Sequence, residues 1–281
     1  MKHLKKHFQI YLLLTVTVLF SNCTSNDDDQ KEEAETTDEK LAISSFNMLS
    51  KDHTFSVLAS KVYTVDSLVV CLFPSPVNYS SLTPTIEFEG TSLSYRVNEE
   101  EFKPYTASVG EPIDFSYPNT VDFKVSNSDQ TNAKVYRIIV DTQQPILFNN
   151  SVITIPDSPV NKTYAGLEVD TWTNVGNYPI RLTLRTNNYI NITTPEAAGA
   201  NIFSTTLSIP EAANLNPKQQ GYVNVYAGAS VTGTYTATAL FNMYFQENLR
   251  YIVYEDVSTS EYIKDIGYKP AQLNMSGTII D

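Results

Sequence analysis

Reactive side chains are scarce in this sequence. Of 281 residues, two are cysteine (Cys23 and Cys71), three are histidine, one is tryptophan and only 10 are glycine. Two cysteines exclude a disulfide-framed scaffold, and a structural zinc site would need more ligands than His53 and Cys71 supply. His3 and His7 lie in the leading segment. His53 follows Lys51-Asp52 in a polar stretch and reads as a surface-turn residue. A Ser-His-Asp or Cys-His site would have to be built on it, and no nucleophile-elbow signature occurs anywhere. There is no glycine-rich phosphate loop and no D-x-D-x-D-G calcium loop. No metal and no cofactor is expected.

Positive charge is also in deficit, with 19 Lys and Arg against 31 Asp and Glu and a net charge of −12. The first 22 residues hold Lys2, Lys5 and Lys6 and no acid, so the remainder carries −15. No basic surface is left to neutralise phosphates, which argues against nucleic acid as a partner. Among the acids, the run Glu99-Glu100-Glu101 is the densest in a folded region. A glycosidase needs only two carboxylates, but consecutive residues point in different directions and a charge run is usually a solvated face. The chain is therefore read as a non-enzyme.

Strand-forming residues are plentiful. Tyr numbers 18 and Phe 13, with Thr, Val and Ile common throughout, and helical periodicity is hard to find beyond the N-terminus. The fold class expected is all-β. The length suits two domains.

The N-terminus reads as an address. Three lysines precede "FQIYLLLTVTVLF" (8–20), an apolar run of 13 residues. That is shorter than the roughly 20 residues a spanning helix needs and suits an export signal. Cys23 stands where cleavage belongs. The arrangement resembles a bacterial lipoprotein signal, in the looser form of the Bacteroidetes, with Phe20 and Asn22 where the stricter pattern has Leu and a small residue. The resemblance implies a signal peptide over 1–22, a lipidated Cys23 as the mature first residue (palmitate among its acyl chains), and attachment to the outer membrane. Secretion after cleavage near Ser21 is the alternative. With Cys23 acylated, Cys71 in "DSLVVCLF" is a lone thiol in a buried strand. A Cys23–Cys71 disulfide would instead tie a tail to a core strand.

Residues 23–40 follow as an acidic tether. Residues 24–40 hold no large apolar side chain, and Asp27 to Lys40 contains eight acids and two lysines. Such a segment cannot bury enough surface to offset chain entropy and is expected to be disordered. As a coil it would span roughly 20–25 Å. Asp27-Asp28-Asp29 resembles the acidic surface-export signal of Bacteroidetes lipoproteins; a solvated spacer explains the charge equally well.

Residues 41–142 read as about seven short strands separated by turn signals, with Pro74, Pro76 and Pro84 as breakers and 98–120 as a long polar connection. Leu82-Thr83-Pro84, Asp114-Phe115-Ser116, Val121-Asp122-Phe123-Lys124-Val125 and Tyr136-Arg137-Ile138-Ile139-Val140 resemble, in order and spacing, an immunoglobulin-like domain of unknown function found near the N-terminus of many Bacteroidetes surface lipoproteins. Ser128 to Asn132 replaces the Asp-Gly turn usual there. The resemblance implies a β-sandwich and carries no catalytic residue.

"DTQQP" (141–145) reads as a polar junction. Residues 146–281 then read as a second immunoglobulin-like β-sandwich. "TWTNVGNYPIRLTL" resembles the N-x-G-N turn of immunoglobulin-like domains of the sperm-protein and cilia-associated type, so that Asn174 to Asn177 would be a tight turn accepting positive φ. Residues 247–281 supply one or two further strands of unassigned place.

Recognition is sought in aromatics. In "LEVDTWT", alternation puts Leu167, Val169 and Thr171 on one face and Glu168, Asp170 and Trp172 on the other. If the charged face is exposed, Trp172 is a flat platform beside two carboxylates, the arrangement that grips a sugar, and Tyr178 stands close enough to share the role. Alternatively Trp172 ends its strand and packs under a loop or against the first domain. Asp66-Ser67-Leu68 resembles the short O-glycosylation motif of exported Bacteroidetes proteins, with Ser67 as acceptor, and lies in an expected strand.

The expected function is binding: glycan capture or adhesion by a surface-exposed outer-membrane lipoprotein, its partner a polysaccharide or a surface protein complex. The alternative is a fimbrial-type subunit assembling by strand exchange. Lys31 and Lys40 precede the first strand, so processing there would release only the tail.

Overall fold

The computed structural model describes residues 40–48, 60–183, 188–210, 214–253 and 264–281, and these belong to one compact unit. Cys23, His53, the expected signal peptide and the expected tether before Lys40 lie outside the described residues. The architecture is all-β, as expected: four sheets and no helix among the described residues.

The N-terminal half comprises β1 (Ala42–Asn47), β2 (Lys61–Tyr63), β3 (Leu68–Phe73), β4 (Thr85–Glu89), β5 (Ser92–Val97), β6 (Lys103–Pro104), β7 (Val121–Ser126) and β8 (Ala133–Thr142). β1 and β4 pair as a two-stranded sheet, and the rest form a six-stranded sheet in the order β2-β3-β8-β7-β5-β6. The two sheets share one core, in which Phe46 meets Phe123 edge-on at 5.9 Å and Tyr105 meets Phe123 at 5.1 Å. The 98–120 segment, expected to be a polar connection, folds back into this core. Tyr105, Ile113 and Phe115 are buried, Tyr105 Oη donates to the Pro84 carbonyl at 2.5 Å, and Leu82 bridges Ile113. Its apolar residues are too widely spaced to read as a strand, yet Tyr105, Ile113 and Phe115 each reach the core singly, while Val109 and Tyr117 stay exposed.

The C-terminal half comprises β9 (Ile146–Phe148), β10 (Val152–Thr154), β11 (Ser158–Pro159), β12 (Tyr164–Asn174), β13 (Ile180–Thr183), β14 (Asn188–Thr193), β15 (Phe203–Ser208), β16 (Gln220–Ala227), β17 (Gly233–Gln246), β18 (Leu249–Val253) and β19 (Ala271–Ile280). One sheet runs β15-β16-β12-β9; the other runs β10-β19-β17-β18-β13, with β11 beside β19 and β14 beside β17. The unassigned C-terminal stretch thus supplies β18 and β19, and β19 is central, held between β10 and β17.

The apolar run of β3 explains how the halves join. Val69, Cys71 and Phe73 face the first core, while Val70 and Leu72, on the opposite face, pack into the second. On β8, the parallel neighbour of β3, Tyr136, Ile138 and Val140 face the first core and Ile139 the second. A strand buried on both faces reads as a continuous hydrophobic run instead of an alternation, and "LVVCLF" is such a run.

Candidate functional site

Where the two halves meet, a buried polar joint forms around Asp141 at the end of β8. The sequence suggests a polar linker there, yet Asp141 and Thr142 are fully buried. The Asp141 carboxylate accepts from the backbone N–H groups of Thr142 and Asn177, each at 2.8 Å, and from Tyr268 Oη at 2.7 Å. Arg250 Nη1 of β18 lies 3.3 Å away, also fully buried. Arg250 Nη2 donates to Asn174 Oδ1 at 2.7 Å and to the Tyr178 carbonyl. Hydrogen bonds of this kind offset the cost of taking an ion pair out of water. They serve the Asp141 carboxylate and Arg250 Nη2, while Arg250 Nε and Nη1 are buried without a hydrogen-bond partner and Nη1 meets Asp141 as a charge.

Asn174-Val175-Gly176-Asn177 holds this joint. Asn174 Nδ2 donates to the carbonyls of Tyr178 and Leu215, and Asn177 Nδ2 to those of Phe115 and Val140, so Asn177 stitches one half to the other. The stretch is a turn between β12 and β13, as read, but none of its residues has positive φ. Gly176 is required for room instead: a Cβ there would lie 2.2 Å from Arg250 Nη1 and 2.7 Å from Asp141 Oδ1.

The expected aromatic platform is overturned. Trp172 is fully buried in the second core, opposite Phe148 on β9 and Gly221 on β16, and offers no face to a sugar. A Cβ on Gly221 would lie 2.6 Å from its Nε1. Tyr178 is buried too, its ring edge-on to Phe245 at 5.3 Å and its Oη accepting from the Val140 N–H at 3.3 Å. Burial pushes the phenols of Tyr178 and Tyr268 well above their ordinary range, with the Asp141 charge adding to both. Asp170 shares the inward face of Trp172, where its carboxylate takes the Asn150 N–H at 2.8 Å and both neighbouring amides, those of Asn149 and Asn150. It is a turn clasp. Glu168 is exposed, at φ 51° within the bulge that interrupts the pairing of β12 between Gly166 and Asp170. Charge thus misidentifies the exposed face: one acid is buried with its partners and the other sits in a bulge where the alternation breaks. Ser67 lies in the turn before β3, half-buried at φ 52°, not in a strand. Glu99 to Glu101 form an exposed turn in which Glu100 pairs with Lys103 at 3.1 Å.

Beside the joint lies a cleft of about 870 Å³ between the halves. Its walls come from 76–80 after β3, from Ser116 and Tyr117, from 173–177, and from Pro217 and Lys218. No single stretch of sequence marks it. A smaller crevice of about 350 Å³ is lined by Asp66, Arg137, Glu247 and Lys264, and there Lys264 Nζ pairs with Asp66 at 2.6 Å across the halves.

No family model and no curated protein matches the chain. Among solved structures it is similar to an endo-fucoidan hydrolase from glycoside hydrolase family 107, at 10% identity and a TM-score of 0.24, over 66% of this chain and 23% of that one. It is also similar to domains 1–6 of the surface layer protein SbsC, at 13% identity and a TM-score of 0.22, over 86% of this chain and 29% of that one. The chain thus spans between a fifth and a third of the length of these structures.

Proposed function

We propose that this chain is a non-catalytic cell-surface protein with a binding role, glycan capture or adhesion, held to the outer membrane through a lipidated Cys23 and built as two tandem immunoglobulin-like β-sandwiches. One observation carries the binding reading: the joint of Asp141, Arg250, Asn174, Asn177 and Tyr268 is buried and fixes the halves beside an open cleft. A cleft held open by the fold needs little ordering when a ligand arrives, which favours affinity, and ligand sites occur preferentially between domains. The address rests on the basic leader, the short apolar run and Cys23 followed by acids.

Mass spectrometry of the mature N-terminus, with protease shaving of whole cells, tests the anchoring. Acylated Cys23 and loss of the protein on shaving are expected; an unmodified Cys23 overturns the lipoprotein assignment. Cell-surface fractionation followed by electron microscopy tests the role. Discrete complexes are expected, and filaments would overturn the binding role in favour of a structural subunit.

A further inference from the structure

Resting on the binding reading, we propose that the cleft between the two halves is a glycan site, in which Tyr117 supplies the stacking ring and Asn78, Ser80 and Lys218 the hydrogen bonds around it. The volume, about 870 Å³, falls in the range that encloses small ligands, about 300–1,000 Å³.

The chemistry of the lining selects the ligand. The chain carries a large excess of acids, yet among the residues lining the cleft none is acidic and Lys218 alone is charged. A cation would find no carboxylate there, and a polyphosphate would find a single positive group where it needs several. What remains is a set of hydroxyl, amide and phenol groups set among apolar surface from two prolines and two valines, Val77 and Val175. These exchange hydrogen bonds with sugar hydroxyls and cover a sugar's C–H face.

The lining is set in place by the fold. Tyr117 is 38% exposed, but its backbone N–H is pinned to Asn177 Oδ1 at 3.0 Å, so its position is tied to the joint. Asn78 Oδ1 accepts both the N–H and the Oγ–H of Ser80, at 3.2 and 2.8 Å, and this leaves its amide N–H groups for a ligand. Lys218 projects from a left-handed turn residue whose N–H donates to the Asn174 carbonyl at 2.7 Å. Tyr79 lies beneath, nine-tenths buried, between the cleft and the joint; its carbonyl accepts from the Phe115 N–H at 2.9 Å. The Val77 backbone lies beside the Tyr79 hydroxyl, but no hydrogen bond of normal geometry joins them. Each wall is thus tied to the joint or to the next wall.

Calorimetric titration of the folded mature chain tests the proposal, using cellohexaose, xylohexaose, mannohexaose, laminarihexaose and hexagalacturonate as probes. Binding to at least one is expected. Tyr117→Ala should weaken it about tenfold or more, Tyr117→Phe should retain it, and Lys218→Ala should weaken hexagalacturonate selectively if that probe binds. Circular dichroism and thermal unfolding should be unchanged in each variant. Binding that is undiminished in Tyr117→Ala overturns the site, and so does the absence of binding to all five. If the wild type and Tyr117→Ala both capture one protein from the outer membrane while no sugar binds, the glycan site falls and the binding role stands. If neither a sugar nor a membrane partner is bound, both fall.

Discussion

Arg250 Nη1 lies 3.3 Å from Asp141 Oδ2, and both side chains are fully buried. The pair joins β18 of one half to β8 of the other, and the cost of removing either member is set by what stays behind. Asp141→Asn leaves a guanidinium without its counter-charge; Arg250→Met leaves a carboxylate with hydrogen bonds but no cation. Each should destabilise by about 3–5 kcal/mol, while the double replacement Asp141→Asn/Arg250→Met should cost less than the two singles together. Urea unfolding of the three variants measures this. Strict additivity would mean that the two charges do not act on each other.

Alkaline pH should unfold the protein before its surface groups account for the loss. Burial pushes the Cys71 thiol up to about 12, from an ordinary value of 9.0, and raises the phenols of Tyr79, Tyr178 and Tyr268 above 10.0. All four are neutral when protonated, and each has a folded pKa above its unfolded one. Below the unfolded values they bind the same protons in both states and the full stability is present. Above pH 9 for the thiol and above pH 10 for the phenols, the unfolded chain releases protons that the folded one retains. Each such group then removes about 1.4 kcal/mol per pH unit until its folded pKa is reached. Denaturant midpoints should fall steeply from about pH 9 upward. Cys71→Val should delay the onset to about pH 10. The same burial predicts that Cys71 reacts with a thiol reagent only as fast as the protein opens.

Much of the fold is legible in the sequence because its signals are local. The strand run "LVVCLF" and the turn at Asn174 to Asn177 appear where the residues place them. The joint and the cleft are legible only in part, since they are made by pairing distant segments. Asp141 meets Tyr268 across a separation of 127 positions, and a lone arginine in "NLRYIVYED" looks like any surface arginine. Trp172 shows the limit most clearly. Alternation assigns it correctly to the side of Asp170, but which side faces the core depends on Asn149 and Asn150, which supply the donors that bury the carboxylate. A charged residue marks an exposed face only when no partner awaits it inside.

As the sole tryptophan and a fully buried one, Trp172 is also a reporter. Its emission should be blue-shifted and nearly insensitive to acrylamide in the folded state, with red-shifted emission on unfolding. Trp172→Ala should destabilise by about 3–5 kcal/mol through loss of packing. Emission characteristic of water in the native protein would contradict its place in the core.

Gly176→Ala should lower stability without touching any exposed group. The added Cβ would meet Arg250 Nη1 at 2.2 Å, Pro145 Cβ at 2.6 Å and Asp141 Oδ1 at 2.7 Å. None of these can retreat freely, since the first and last belong to the buried pair and Pro145 anchors the chain between the halves. Overpacking of this kind costs about 1–3 kcal/mol, and because φ at Gly176 is not in the left-handed region, the effect is steric. Two further substitutions separate the causes. Gly176→Ala combined with Arg250→Met should be less than additive, because methionine has no planar guanidinium to clash with. Gly199→Ala offers the contrast: that glycine sits at φ +65° with open space around it, so its smaller cost of about 1 kcal/mol comes from backbone strain alone. Thermal unfolding of the three variants decides between crowding and strain, and a Gly176→Ala protein as stable as the wild type would mean that the joint is looser than its distances describe.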